Sequence, residues 1–175
     1  MPDEPNIHEP QWDAEMPDAP FRAKAARVGA HAGAQELGAT LYEIEPGGAI
    51  SPYHFHHANE ELLVVLAGSP CVRTSGGVQR VEAGAVVAFP RGADGAHAVT
   101  NPGPEPARML FVSTMRFPDV AEHLDTGSVL TITGQAAGRA YRSGSDVPFA
   151  DAVLEAMQAE ADVERESGEP PDEAA

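Results

Sequence analysis

The feature that most constrains this chain is the punctuation between residues 39 and 114, where short apolar runs are broken at nearly regular intervals by glycine and proline clusters. Residues 39–45 alternate small or apolar with polar side chains and stop at Pro46-Gly47-Gly48, the pattern of a strand running into a turn. The same spacing predicts strands over 52–57, 61–66, 71–74, 78–81, 85–89, 96–100 and 108–114. Ser75-Gly76-Gly77 closes a hairpin, and Pro90-Arg91-Gly92 and Asn101-Pro102-Gly103-Pro104 make further turns. Seven or eight short strands indicate an all-β sandwich or barrel, forms that hide the strand edges through which sheets aggregate. The 17 Gly and 16 Pro scattered through 175 residues agree with that class, and an apolar content of 42% suffices for one core. The near-continuous apolar run 61–66 reads as a strand buried on both faces.

Three segments are expected. Residues 1–20 hold five prolines and show no periodicity, an acidic arm that is extended or disordered, in which Ile7, Trp12 and nearby Phe21 either meet solvent or lie across a barrel face. Residues 21–145 form the β-barrel domain; within it 22–38, rich in Ala and Gly, read as loop with room for one short strand, and 128–133 add a late strand. Residues 146–175 hold a helix and a disordered acidic tail. The helix covers 151–164, with Phe149, Val153, Leu154 and Met157 on one face and Asp151 in the first turn, where the helix dipole favours a negative charge.

The net charge of −16 sits at the two ends. Residues 1–20 carry six acids and no Lys or Arg, residues 151–175 carry nine acids against Arg165, and the segment between is nearly neutral. No basic stripe exists to neutralise phosphates, so nucleic acid is excluded as a partner. Cys71 is the only cysteine, so no intramolecular disulfide forms. The longest apolar run, 62–67, is far short of a membrane span, and the N-terminus lacks the basic-then-apolar pattern of a leader. A cytoplasmic protein with no membrane partner is the expectation.

Three of the seven histidines crowd into positions 54, 56 and 57. Side chains alternate faces along a strand, so His54 and His56 project to one side, about 7 Å apart along the backbone, close enough to share one ion; Phe55 and His57 project to the other. Glu60 and Glu61 open the next strand. An ionised carboxylate is costly to bury unpaired, and a bound cation removes that cost; the alternative is a solvated pair at the strand entrance. His97 interrupts a run of small and β-branched residues and, taken alone, fits a core histidine as well as a ligand.

Two motifs spanning Gly48 to Asn101 resemble those of the cupin superfamily. The first reads Gly48, His54-Phe55-His56, Glu61, Gly68, with every interval met. The second reads Gly84, Pro90-Arg91-Gly92, His97, Asn101, but Ala93-Asp94-Gly95-Ala96 separate Gly92 from His97 where the pattern has two residues. The resemblance is strongest to small single-domain metal-binding members, and it implies a jelly-roll antiparallel β-barrel with a short C-terminal helix and acidic tails. In such a barrel His54, His56, Glu61 and His97 would hold one divalent transition metal ion (Fe, Mn, Ni, Zn or Co), while Gly48, Gly68, Gly84, Pro90, Gly92 and Asn101 would shape the turns. Counting back from Gly68 selects Glu61 over Glu60. A homodimer and a small-molecule ligand or substrate are implied as well.

Such a donor set leaves positions open on the ion, which suits a metal-dependent enzyme of dioxygenase type, or an isomerase or lyase. The alternative is a non-catalytic binding or sensor module. Tyr42, Tyr53, Arg73, Arg91 and Arg108 are the candidates for further site residues.

Overall fold

Strands form where the sequence alternates and end where glycine or proline interrupts it. The computed structural model describes residues 5–134, 137–142, 144 and 147–167. In chain order the elements are β1 (Ala14–Met16), β2 (Ala23–Ala26), α1 (Val28–His31), β3 (Gly38–Ile44), β4 (Gly48–Ala49), β5 (His54–His56), β6 (Glu61–Ala67), β7 (Cys71–Thr74), β8 (Gly77–Arg80), β9 (Val86–Phe89), β10 (Ala98–Asn101), β11 (Ala107–Ser113), β12 (Asp119–His123), β13 (Ser128–Gly134), β14 (Ala137–Tyr141) and α2 (Phe149–Ser167). All strands lie in one unit, Met1–Arg142; α2 lies in a second, Ser143–Ala175.

The strands make three antiparallel sheets, ordered β1-β2-β3-β11-β6-β9, β4-β10-β7-β8 and β14-β13-β12-β5. An isolated antiparallel bridge between His54 and His97 ties β5 to the chain entering β10. The main core lies between the first two sheets: Ile44, Leu63, Val65, Phe89 and Met109 from the first meet Val72 and Val99 from the second. Burying each such side chain favours the fold by roughly 1.5–3 kcal/mol. Register carries the same inward face to the other end of the first sheet, where Glu61 pairs with Ser113, and Leu63 and Thr40 both pair with Phe111.

β6 corrects the expectation of a strand buried on both faces. Leu63 and Val65 are buried but Leu62 is 36% exposed, because only one face of this antiparallel sheet packs on the core here. The N-terminal arm is not loose either. β1 pairs with β2, and Ile7 and Trp12 pack on Ala26, Val28 and Leu41 across the outer face of the sheet. Backbone pairing compensates the polarity of the arm: the Asp13 N–H donates to the Ala25 carbonyl at 2.9 Å, and its carboxylate accepts from the Arg27 N–H at 2.6 Å.

The motif residues sit at corners and crossings. Gly68, Gly84 and Gly92 have φ of +77°, +92° and +82°. At Gly68 a Cβ would also come within 2.8 Å of the Ala107 backbone, so no other residue fits. Gly48 is a strand residue, contrary to the turn role implied for it; positive φ falls on Gly47, and a Cβ on Gly48 would strike the Phe21 carbonyl oxygen. Pro90 follows the last residue of β9. Buried Asn101 donates to the carbonyls of Ile44 at 2.9 Å and Glu105 at 2.8 Å and accepts from the Gly103 N–H, pinning the corner after β10.

In the second unit, α2 begins two residues earlier than expected and continues to Ser167, with Val153, Leu154 and Met157 between 41% and 64% exposed. The side chain of Phe149 and residues 168–175 of the expected tail lie outside the described residues. Among the described residues no helix is long and apolar enough to cross a membrane.

Candidate metal centre

Strand alternation brings the first two imidazoles together as the sequence predicts. His54 Nε2 and His56 Nε2 are 3.2 Å apart, while Phe55 and His57 face the other way, with ring centroids 5.0 Å apart. Glu61, opening β6, sets Oε2 3.7 Å from His56 Nε2 and 3.3 Å from His97 Nε2. The two extra residues before His97 are absorbed by a 3₁₀ turn over Ala93–Gly95, after which paired backbone hydrogen bonds with His54, at 2.8 and 3.0 Å, deliver His97 to the cluster. Its ring stacks on Phe89, centroids 3.8 Å apart and planes 10° from parallel. The donor atoms of His54, His56 and Glu61 all lie within 4.8 Å of one another, and His97 joins this group through Glu61.

Hydrogen bonding on the far side of each ring fixes what faces the cluster. His54 Nδ1 lies 2.9 Å from the Pro52 carbonyl, His97 Nδ1 3.0 Å from the Gly95 carbonyl, and His56 Nδ1 2.6 Å from Asp119 Oδ2. Those oxygens can only accept, so each Nδ1 carries a hydrogen and each ring turns its Nε2 toward the cluster. Two lone pairs 3.2 Å apart repel unless a proton or a cation lies between them. Burial, followed by the neighbouring His97, pushes the His54 pKa down to about 4, which disfavours a proton on that ring. Burial works to raise the Glu61 pKa, but the hydrogen bond to His97 and the nearby imidazoles outweigh it, and the carboxyl stays below its usual range. The imidazoles of His54 and His56 with the ionised Glu61 carboxylate are donors of the type a divalent transition metal takes, close enough together to share one, and they fit the ion.

Asp119 is a residue that the sequence did not reveal. Its buried carboxylate accepts from the Ala58 and Val120 N–H groups at 2.8 Å each, from Asn59 Nδ2 at 2.8 Å and from His56. Burial opposes ionisation, but these donors hold its pKa below the ordinary value. His123, opposite His54 in the β5–β12 pairing and 6.0 Å from it between centroids, was also missed; burial and His56 lower its pKa. Both lie on β12, whose acidic and basic residues disguise it as loop.

His54, His56 and Glu61 line a pocket of about 360 Å³. Of the five candidates for further site residues only Tyr42 lines it, its hydroxyl pKa raised by burial and then by Glu61. Arg73 pairs with Asp125 and lies over Tyr53, Arg108 pairs with Glu43 beside Trp12, and Arg91 is exposed. His57 bonds Glu122 at 2.7 Å, and Glu60 is exposed.

Solved structures with this fold include a sugar phosphate isomerase of the cupin superfamily from Silicibacter pomeroyi, at 25% identity and a TM-score of 0.67, covering 79% of this chain and 88% of that one. A putative sugar phosphate isomerase from Acidithiobacillus ferrooxidans shares 22% identity at a TM-score of 0.69, over 79% of this chain and 87% of that one. The polyketide cyclase RemF from Streptomyces resistomycificus shares 23% at 0.54, over 68% and 84%. A search of curated proteins gives no match. The cupin domain family matches residues 40–113, the stretch that supplies His54, His56, Glu61 and His97, and this stretch is a cupin domain.

Proposed function

We propose that this protein is a metal-dependent enzyme acting on a small organic molecule, with His54, His56, Glu61 and His97 holding one divalent transition metal ion. The observation that carries the proposal is the convergence of His54 Nε2, His56 Nε2 and the Glu61 carboxylate on the wall of an open pocket, with His97 Nε2 behind Glu61 at 3.3 Å. When bound, the ion supplies Lewis acidity toward a substrate oxygen. The chain contributes the rest: the Nδ1 hydrogen bonds hold the rings in place, Phe111 and Met115 exclude water, and the Tyr42 hydroxyl holds a proton toward the pocket.

Isomerase or lyase chemistry by proton transfer is favoured over dioxygenase chemistry, supported by the likeness to the isomerase from Silicibacter pomeroyi. A homodimer and a cytoplasmic location belong to the same proposal. The test is incubation of metal-loaded protein with small α-hydroxyketones in D₂O, followed by proton NMR, with an oxygen electrode in parallel. Metal-dependent exchange of the proton on the carbon bearing the hydroxyl is expected. Oxygen consumption would instead indicate a dioxygenase, and neither signal would leave a binding module.

A further inference from the structure

The charges around the pocket restrict what can enter it. Among the described residues its wall includes two carboxylates, those of Glu61 and Asp119, and neither Lys nor Arg. Basic groups near the wall are committed or turned out: Arg108 pairs with Glu43, and Arg139 is exposed. Arg27 lines an adjoining crevice that shares Gly38, Thr40 and Met115, but its guanidinium faces Asp13 at 3.8 Å and its side chain is 59% exposed; Arg116 is exposed. A phosphate monoester carries between one and two negative charges near neutral pH and is ordinarily held by Arg, Lys or a helix N-terminus. None of these lines this wall.

What the wall offers is neutral. Among the described residues the hydroxyls of Thr40, Tyr42 and Ser113 make no hydrogen bond to another protein group, although all three line the pocket on the inward faces of β3 and β11. Their capacity to donate and accept is unspent. The apolar side chains of Ile50, Met115 and Phe117 complete the lining. At about 30 Å³ per water, the volume equals roughly a dozen water molecules, room for a compact ring or a short chain.

We infer that the pocket selects an uncharged organic molecule with a hydroxyl or carbonyl oxygen for the metal and an apolar body for the apolar part of the lining, and that it rejects phosphate monoesters. This rests on the metal reading above. It separates the chain from its structural relatives by substrate, since two of those are described as sugar phosphate isomerases.

The test uses the full chain loaded with Co(II), whose visible spectrum reports on the ligands around the ion, and two probes of similar size: 2-hydroxyacetophenone and dihydroxyacetone phosphate. Metal content, measured first, decides the metal reading by itself. With the ion in place, 2-hydroxyacetophenone is expected to perturb the spectrum at a concentration at least tenfold lower than dihydroxyacetone phosphate. Phe117→Arg, adding a cation at the rim, should narrow that gap, while Tyr42→Phe should weaken 2-hydroxyacetophenone alone. Equal or tighter binding of the phosphate, or no perturbation by either probe, would overturn the inference.

Discussion

An imidazole offers a cation only the nitrogen that its other hydrogen bond leaves free, so the carbonyls of Pro52 and Gly95 and the Asp119 carboxylate matter as much as the rings themselves. Asp119→Asn would set an amide N–H₂ among donors that now meet two carboxylate oxygens, and should weaken metal binding by about 10- to 100-fold. Competition with a coloured chelator would read the loss; unchanged affinity would show that Asp119 only packs. Neighbours in sequence should behave oppositely. His56→Ala and Glu61→Gln are expected to release most of the metal, and His57→Ala and Glu60→Gln to keep it, since His57 bonds Glu122 and Glu60 is exposed. Release from the second pair with retention in the first would mean a register shifted by one residue. The meeting of His54 and His56 was legible because two-residue alternation is a local property, whereas Glu61 was singled out by its motif interval to Gly68. Asp119 was not: it stands 63 residues from the ring it serves, and Phe117-Pro118-Asp119 looks like any turn until tertiary pairing brings it to His56.

At the scale of elements, Asp13 is the clasp that holds the arm. The Arg27 N–H beside it is the main cause of a pKa lowered from 3.8, with burial opposing and His31 and Arg27 adding attraction. A depressed carboxyl stabilises above its unfolded value and loses that contribution as pH falls through the lower folded one. Trp12, the only tryptophan and half-buried, therefore should keep its emission wavelength down to about pH 4 and shift red below it, whereas Asp13→Ala should be red-shifted already at pH 7. Identical titrations of the two proteins would show that the arm is held by Ile7 and Trp12 alone. Apart from the two-residue β4, the strands from β3 to β11 could be read from alternation and turn residues. β1 and β2 could not, because Ala14-Glu15-Met16 and Ala23-Lys24-Ala25-Ala26 have weak strand preference and pair only because the edge of β3 is there to accept them. Nor could β12, whose Asp, Glu and His face the centre and its surroundings in place of an apolar core.

Across the whole molecule, every residue of the two hydrophobic clusters and all four proposed ligands fall between Ile7 and Phe111, while the concentrated acidic charge after Asp151 belongs to the second unit. A chain ending at Arg142 is accordingly expected to melt within about 3 °C of the full chain, a change of no more than roughly 1 kcal/mol, and to keep its metal. A larger drop would place part of the stabilising core in residues 143–175. The central claim is the four-residue centre, and the most direct measurement is elemental analysis of protein purified without chelator and then offered Fe(II), Mn(II), Ni(II) or Zn(II). The structure leads to a ratio close to one ion per chain, falling toward zero when His54 and His56 are both replaced by Ala. A wild-type protein that neither carries nor takes up any of these ions would contradict it.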